Sequence, residues 1–349
     1  MRTVLDPHLV DPSGREPGLW IAVREHRRAL LFDLGDLGAL SARTLLRSTH
    51  AVVTHPHMDH FAGFDHWLAT GLGRMPGMTV WGGPGFVDRL EHKLRAYAWN
   101  VVHRYTVPMV IEARSLEADG TRRGARFDSR EAFERRDLPV EPPRGDVLLE
   151  EPLLRVRARI VDHEMPVLAC AIEETARVRV AADRVAALGL ATGAWLQALK
   201  AAVLAGAPDD DTLDVRWRDA AGEHERRFNL GELRPLVLDA APGRRIGYVT
   251  DLRFTEANLA QLDALLAGVD LLYIECVFAD EDRELARRRN HLTARQAGSV
   301  ARRLGARQLL PFHFSPRYEG AEDRLREQAR GAWQGSIEPD VPDCDYTAM

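Results

Sequence analysis

The chain has little cysteine, and what it has is scattered. Cys170, Cys276 and Cys344 are far apart and odd in number, which argues against a disulfide framework and predicts reduced side chains in a cytoplasmic protein. No positively charged segment followed by an apolar core opens the sequence, so no secretory signal is expected. No apolar run approaches the ~20 residues of a membrane span, and no membrane partner is expected. Positive charge is not in excess: 47 Lys and Arg against 52 Asp and Glu leave a formal net charge of −5. That balance removes any global attraction to nucleic acid and leaves room only for a local basic patch. Internal repeats and low-complexity tracts are also missing. What is present is a globular composition, 45% hydrophobic and 28% charged over 349 residues, with ample chain for a substantial core.

The stretch Thr54-His-Pro-His-Met-Asp-His60 stands out against that background. His55, His57, Asp59 and His60 follow the apolar run Ala51-Val52-Val53. Imidazole and carboxylate together suit zinc, or manganese and iron at similar sites. Side chains alternate faces along a strand, so four ligands this close could not all bind one ion from a regular strand. From a loop at a strand's end they could serve two adjacent ions, and a binuclear hydrolytic centre is the first hypothesis. The bland alternative is a His-rich surface turn.

The remaining chain supplies partners at similar positions. Met1 to Gly18, with three prolines and two glycines, reads as an extended or irregular lead-in. Leu19–Arg24 and Arg28–Phe32 read as strands, and Asp33-Leu34-Gly35-Asp36 as either a tight turn or a carboxylate that orients the downstream histidines. A short helix is expected over Ser41–Ser48, a strand over His50–Val53, and an amphipathic helix over Phe86–Asn100, whose neighbourhood makes His92 and His103 surface or packing residues. The charged middle from Ser115 to Gly145 reads as a solvated loop, with an RNA-facing patch as the alternative. Strands then end at Asp162-His163, at Asp251 and before His313. Val178–Leu204 reads as helix–turn–helix, and Thr293 as the cap of a helix over Ala294–Leu304. Strands alternate with helices in both halves, and candidate ligands recur at strand ends, where loops converge over a rigid sheet.

Taken together, these residues resemble a known family. Thr-His-Pro-His-Met-Asp-His matches the His-x-His-x-Asp-His signature of the metallo-β-lactamase superfamily, and Asn290–Tyr318, with its His-Phe-Ser-x-Arg-Tyr segment, is similar to the C-terminal part of ribonuclease Z enzymes. Asp162-His163, Tyr248-Val249-Thr250-Asp251 and Leu188–Lys200 fall in the family's order, so the similarity spans residues 28–104 and 156–318. The resemblance implies an α/β fold, a four-layered αβ/βα metallo-β-lactamase sandwich forming a single domain over 1–349 with insertions around 113–150 and 178–240. It implies two Zn²⁺, with Mn²⁺ or Fe²⁺ as alternatives: one held by His55, His57 and His163, the other by Asp59, His60 and His313, with Asp251 bridging. Asp59 would also accept the proton of the attacking water, and His291 would be the catalytic acid. The implied activity is a phosphodiesterase that processes tRNA 3′ ends, with a homodimer as the expected assembly.

The sequence also departs from the family. A Leu-Gly-Thr-Gly strand–loop is missing near the start, Gly-Asp-Thr is replaced by Thr250-Asp251-Leu252, His-Glu-Ala-Thr by Ile274-Glu275-Cys276-Val277, and Gly-Pro by Gly193-Ala194, although Lys200 remains. These changes fall on substrate-reading parts and leave the ligand set intact. Three functions are therefore weighed: an endonuclease acting on tRNA precursors, a hydrolase of small phosphodiesters, cyclic nucleotides or other esters, and a non-catalytic RNA- or protein-binding relative.

Overall fold

Eight strands pair in chain order to form the first sheet: Leu5–Leu9, Leu19–Val23, Arg28–Phe32, Ser48–Val52, Gly77–Gly82, Val110–Leu116, Arg122–Asp128 and Arg135–Asp137. This computed structural model describes residues 4–24, 26–175, 177–219, 222–241, 243–336, 338, 340 and 342. The four central strands, from Arg28–Phe32 to Val110–Leu116, run parallel, with antiparallel strands on either side. A second sheet of six strands has the order Leu309–Phe312, Leu271–Glu275, Arg245–Val249, Pro166–Glu174, Leu154–Asp162, Val147–Glu150. Its first three strands are parallel. Arg28–Phe32 and Leu271–Glu275 are buried almost throughout, as expected of parallel strands covered on both faces.

Each sheet carries helices on its outer face. Phe64–Gly71 and Phe86–Arg95 pack Phe64, Trp67, Leu90 and Leu94 against the first sheet. Glu256–Leu266, Ala294–Arg303 and Glu322–Gln334 pack Leu262, Ala297 and Leu325 against the second. Between the sheets, the rings of Phe32 and Tyr248 meet with centroids 5.8 Å apart. The result is the expected four-layered α/β sandwich. The expected cap is present: Thr293 Oγ1 accepts from the Gln296 amide at 3.3 Å, and Gln296 Oε1 accepts from the Thr293 amide at 2.9 Å, a complete capping box.

By its contacts the chain divides into two units, one of residues 1–149, 156–172 and 245–349, the other of 150–155 and 173–244. The second unit has its own core, with Val185, Leu199, Leu233 and Val237 fully or nearly buried. It contains the strand pairs Arg177–Val180 with Leu238–Ala241 and Thr212–Asp219 with Gly222–Asn229, and the helices Ala182–Ala187, Trp195–Leu204 and Leu230–Val237.

Three local expectations change. The lead-in contains a strand, Leu5–Leu9; Pro7 is tolerated because that strand is at the sheet's edge. Within Ser115–Gly145, expected as a solvated loop, Arg122–Asp128 and Arg135–Asp137 are strands, the first forming a hairpin with Val110–Leu116. Along Arg122–Asp128 only Arg123 and Arg126 are exposed, while Arg122, Gly124, Ala125 and Phe127 are buried; without a strict alternation and with dense charge, the strand left no periodic signal. Three of the segment's arginines are paired with acids: Arg126 with Asp128, Arg135 with Asp88, Glu91 and Asp137, and Arg136 with Glu131. That pairing offsets the charge of Arg126, Arg135 and Arg136 and favours the solvated reading of these side chains over the RNA-facing one. The helix–turn–helix from Val178 begins instead as the strand Arg177–Val180, because its partner lies some sixty residues away, at Leu238–Ala241, beyond the reach of local periodicity.

Candidate metal centre

The parallel strand Ser48–Val52 ends just before the ligand loop, and a short helix, Met58–Phe61, begins inside it. This strand-to-helix turn resolves the crowding seen in the sequence. His55 and His57 lie before the helix, whereas Asp59 and His60 lie on its first turn, so the four side chains diverge into two groups. His55, His57, His163 and Asp251 form one group and Asp59, His60 and His313 another, each with ligand atoms all within 4.8 Å of one another; Asp251, Glu275 and His291 meet the same distance beside them. Asp251 follows the strand Arg245–Val249, His163 follows Leu154–Asp162, and His313 follows Leu309–Phe312.

Asp251 is 2% exposed and its two oxygens face different groups. Oδ2 lies 3.5 Å from His55 Nε2 and 3.6 Å from His163 Nε2. Oδ1 lies 3.0 Å from His313 Nδ1 and 3.7 Å from His60 Nε2. His55 Nε2 and His57 Nδ1 converge to 2.9 Å, and Asp59 Oδ2 lies 3.3 Å from His313 Nε2 and 3.4 Å from His60 Nε2.

The supporting contacts set the histidine tautomers. Asp33 is fully buried, with φ 58°, and is the carboxylate that orients the cluster. Its Oδ1 accepts from the Thr54 amide at 2.7 Å; its Oδ2 accepts from Thr54 Oγ1 at 3.0 Å, His60 Nδ1 at 2.9 Å and the Tyr248 hydroxyl at 3.0 Å. His60 Nε2 is thereby left with its lone pair facing the cluster. His163 Nδ1 donates to the Asn290 carbonyl at 2.8 Å, which likewise frees Nε2. The turn tolerates no bulk: a Cβ on Gly35 would lie 2.1 Å from the Asp59 carbonyl oxygen.

The donor set fits divalent cations. His60 Nε2 is buried without a hydrogen bond, and Asp251 Oδ1 and His313 Nδ1 are buried with only each other, misaligned at 3.0 Å, an expensive arrangement unless something else satisfies them. Burial opposes the charge on His60 and His313, yet neighbouring carboxylates outweigh it. Asp33 and Asp251 hold the His60 pKa well above the usual range, and Asp251 raises that of His313 to about 10. His57 shifts the other way, down to about 4, because of burial and the neighbouring His55 and His163. Positive charge is thus wanted beside Asp251, and divalent metal binding is what the histidine–aspartate clusters provide.

His291 stands at the rim. Its Nδ1 lies 3.1 Å from Glu275 Oε2 and 4.0 Å from Asp251 Oδ2. Glu275 is fully buried and accepts from the Leu252 amide at 2.9 Å and the Leu292 amide at 3.2 Å. Burial of His291 works against protonation, but the Glu275 charge prevails and raises its pKa. Glu275 and Tyr248 were not singled out as site residues from sequence; a lone acid or hydroxyl in an otherwise apolar strand was their signal. His92 and His103 are exposed and join no ligand group. Cys170 and Cys276 are buried free thiols, and Cys344 lies outside the described residues. Gly193, Ala194 and Lys200 belong to the second unit, before and on the helix Trp195–Leu204. No helix among the described residues is long and apolar enough to cross a membrane.

The chain is similar to known proteins in sequence and in fold. A family model described as the beta-lactamase superfamily domain matches residues 164–314. Ribonuclease Z from Deinococcus radiodurans is 34% identical over 334 residues, covering 94% of this chain and 95% of that protein. Ribonuclease Z from Kineococcus radiotolerans is 34% identical over 285 residues, covering 80% of this chain and 70% of that protein. Among solved structures, unliganded yeast PDE1 shares the fold with a TM-score of 0.52 at 10% identity, over 97% of this chain and 95% of that one. On its near full-length similarity to the Deinococcus protein, the chain belongs to the ribonuclease Z family.

Proposed function

We propose that the protein is a binuclear zinc-dependent endoribonuclease that processes the 3′ ends of tRNA precursors. The observation that carries this reading is the division of the two Asp251 oxygens between two ligand groups. His55, His57 and His163 would hold one ion and Asp59, His60 and His313 the other, with Asp251 shared. Two divalent cations bound there would supply Lewis acidity toward a phosphodiester and its attacking water. The ligands are imidazoles and carboxylates without thiolate, a set that suits zinc and also admits manganese or iron.

The chain's own groups supply the proton transfers. Asp59 is half-exposed and held ionised, since His313 and His60 outweigh the opposing effect of burial; it can take a proton from the attacking water. His291 has its Nδ1 directed at Glu275, so its Nε2 is the atom available to protonate the leaving 3′ oxygen or to steady charge on the pentavalent phosphorus. Glu275 does not touch substrate in this scheme; it positions His291 and favours its protonated form. A homodimer belongs to the same proposal and is tested by light scattering.

The test is a parallel assay of zinc-loaded protein on a 3′-extended tRNA precursor and on bis-p-nitrophenyl phosphate. Cleavage of the precursor at the 3′ side of the tRNA body, lost in Asp251→Ala, is the expected result. Turnover of the small diester with the precursor left intact would transfer the protein to the small-phosphodiester class.

A further inference from the structure

At the opposite end of the first sheet from the metal centre lies a cavity of about 530 Å³ lined by Arg27, Arg43, Leu46, Arg47 and Arg74. Arg27 and Arg47 immediately precede the parallel strands Arg28–Phe32 and Ser48–Val52, whose far ends lead to Asp33 and to Thr54–His60. A five-residue strand spans ~16 Å, so the cavity and the metal centre are separate places. Arginines elsewhere in this unit are commonly neutralised: Arg114, Arg135, Arg157 and Arg303 each face one or more carboxylates. None of the four cavity arginines makes an ion pair among the described residues. Arg47 Nε donates to the Arg27 carbonyl at 2.8 Å, and Arg74 Nη1 approaches the Thr70 carbonyl at 3.4 Å. Arg27, Arg43 and Arg74 are exposed. Four like charges sharing one concavity repel each other and cost stability unless an anion joins them.

We propose that this cavity is a binding site for a small anion carrying two or more adjacent phosphoryl groups. A guanidinium presents a planar fork of donors that matches phosphate oxygens bidentately, and four of them exceed what one phosphate needs. The volume falls within the range of small-ligand sites, about 300–1,000 Å³. A nucleic-acid strand is met by a basic groove that tracks along its backbone, whereas here the charge converges on one concavity. Leu46 gives the cavity an apolar wall. The site does not depend on the proposed nuclease activity.

The experiment is hydrogen exchange on the zinc-loaded protein with inorganic pyrophosphate as probe, reading amides of residues 42–47 and 71–75. Pyrophosphate should protect both segments, and Arg43→Gln/Arg74→Gln should raise the concentration needed at least tenfold while leaving turnover of bis-p-nitrophenyl phosphate unchanged. If that pair fails to fold, Arg27→Gln, at an exposed turn, replaces it with the same expectation. No protection, or equal protection in wild type and variant, overturns the proposal. Protection by a single-stranded oligoribonucleotide but not by pyrophosphate also overturns it, and makes the surface an RNA contact. Protection that persists in Asp251→Ala separates this site from the metal centre, and its loss there would refute the assignment.

Discussion

Asp33→Asn tests how the ligand loop is held together. The substitution keeps the shape of the side chain and removes the carboxylate charge. Of the four donors now satisfied by Asp33, the Thr54 amide can still find the remaining carbonyl oxygen, and the Thr54 and Tyr248 hydroxyls can rotate. His60 cannot adapt so easily. Its Nδ1, 2.9 Å from Oδ2, would face an amide N–H₂, and relief requires moving the ring proton to Nε2. That nitrogen is the buried, unpartnered atom facing Asp59 and Asp251, and protonation there abolishes it as a ligand. Loss of such an outer contact lowers metal affinity by about 10–100-fold, and loss of a hydrogen bond to a charged group costs ~1.5–3 kcal/mol of stability. Zinc competition against a chromophoric chelator, alongside urea unfolding, measures both. Tyr248→Phe is the matched control: it removes one donor to Asp33, costs ~1–2 kcal/mol, and leaves zinc affinity within a few-fold. Wild-type zinc affinity in Asp33→Asn would refute the tautomer reasoning.

Other expectations follow from the same structure. His291→Ala should lower kcat on bis-p-nitrophenyl phosphate by about 10²–10⁴-fold with zinc content unchanged by elemental analysis; loss of zinc would make His291 a ligand or structural residue. Gly35→Ala should destabilise the fold by at least ~1–3 kcal/mol, read by thermal unfolding, since its Cβ would collide with the Asp59 carbonyl oxygen at 2.1 Å. Asp146, paired with Arg157 and Arg159, has a folded pKa below its ordinary 3.8, since the Arg157 hydrogen bonds prevail over burial. That pair stabilises the protein above the unfolded pKa and is lost as pH falls through the folded value, so Asp146→Asn should cost ~1 kcal/mol at pH 7 and progressively less as the pH is lowered below the ordinary carboxylate range. Burial pushes the Cys170 and Cys276 thiols far up, so Cys344→Ser should give no reaction with Ellman's reagent at pH 8 until denatured.

Much of the fold and the candidate centre was legible because the decisive residues sit at strand ends with local signals. Thr54–His60 follows a β-branched run, and Thr293 with Gln296 announces its helix three residues ahead. His163, Asp251 and His313 were found because strands end beside them, and the structure brings these distant positions into one cluster. What stayed hidden depends on long-range pairing. Glu275 reads as one polar residue closing an apolar strand until Leu292 and His291 arrive to use it. Arg177–Val180 becomes a strand only through Leu238–Ala241. The Arg122–Asp128 strand was obscured by charges whose partners sit on other segments, as the Val147 carbonyl does for the buried Arg122. The arginines around the cavity at 27, 43, 47 and 74 are separated in sequence and become a feature only when the parallel strands set their starting ends side by side.

The shared use of Asp251 is tested most directly by anomalous diffraction at the zinc edge from crystals of the zinc-loaded protein. The account predicts two peaks, one among His55, His57 and His163 and the other among Asp59, His60 and His313, each beside a different oxygen of Asp251. A single peak, or two peaks with Asp251 bound to one alone, would contradict it.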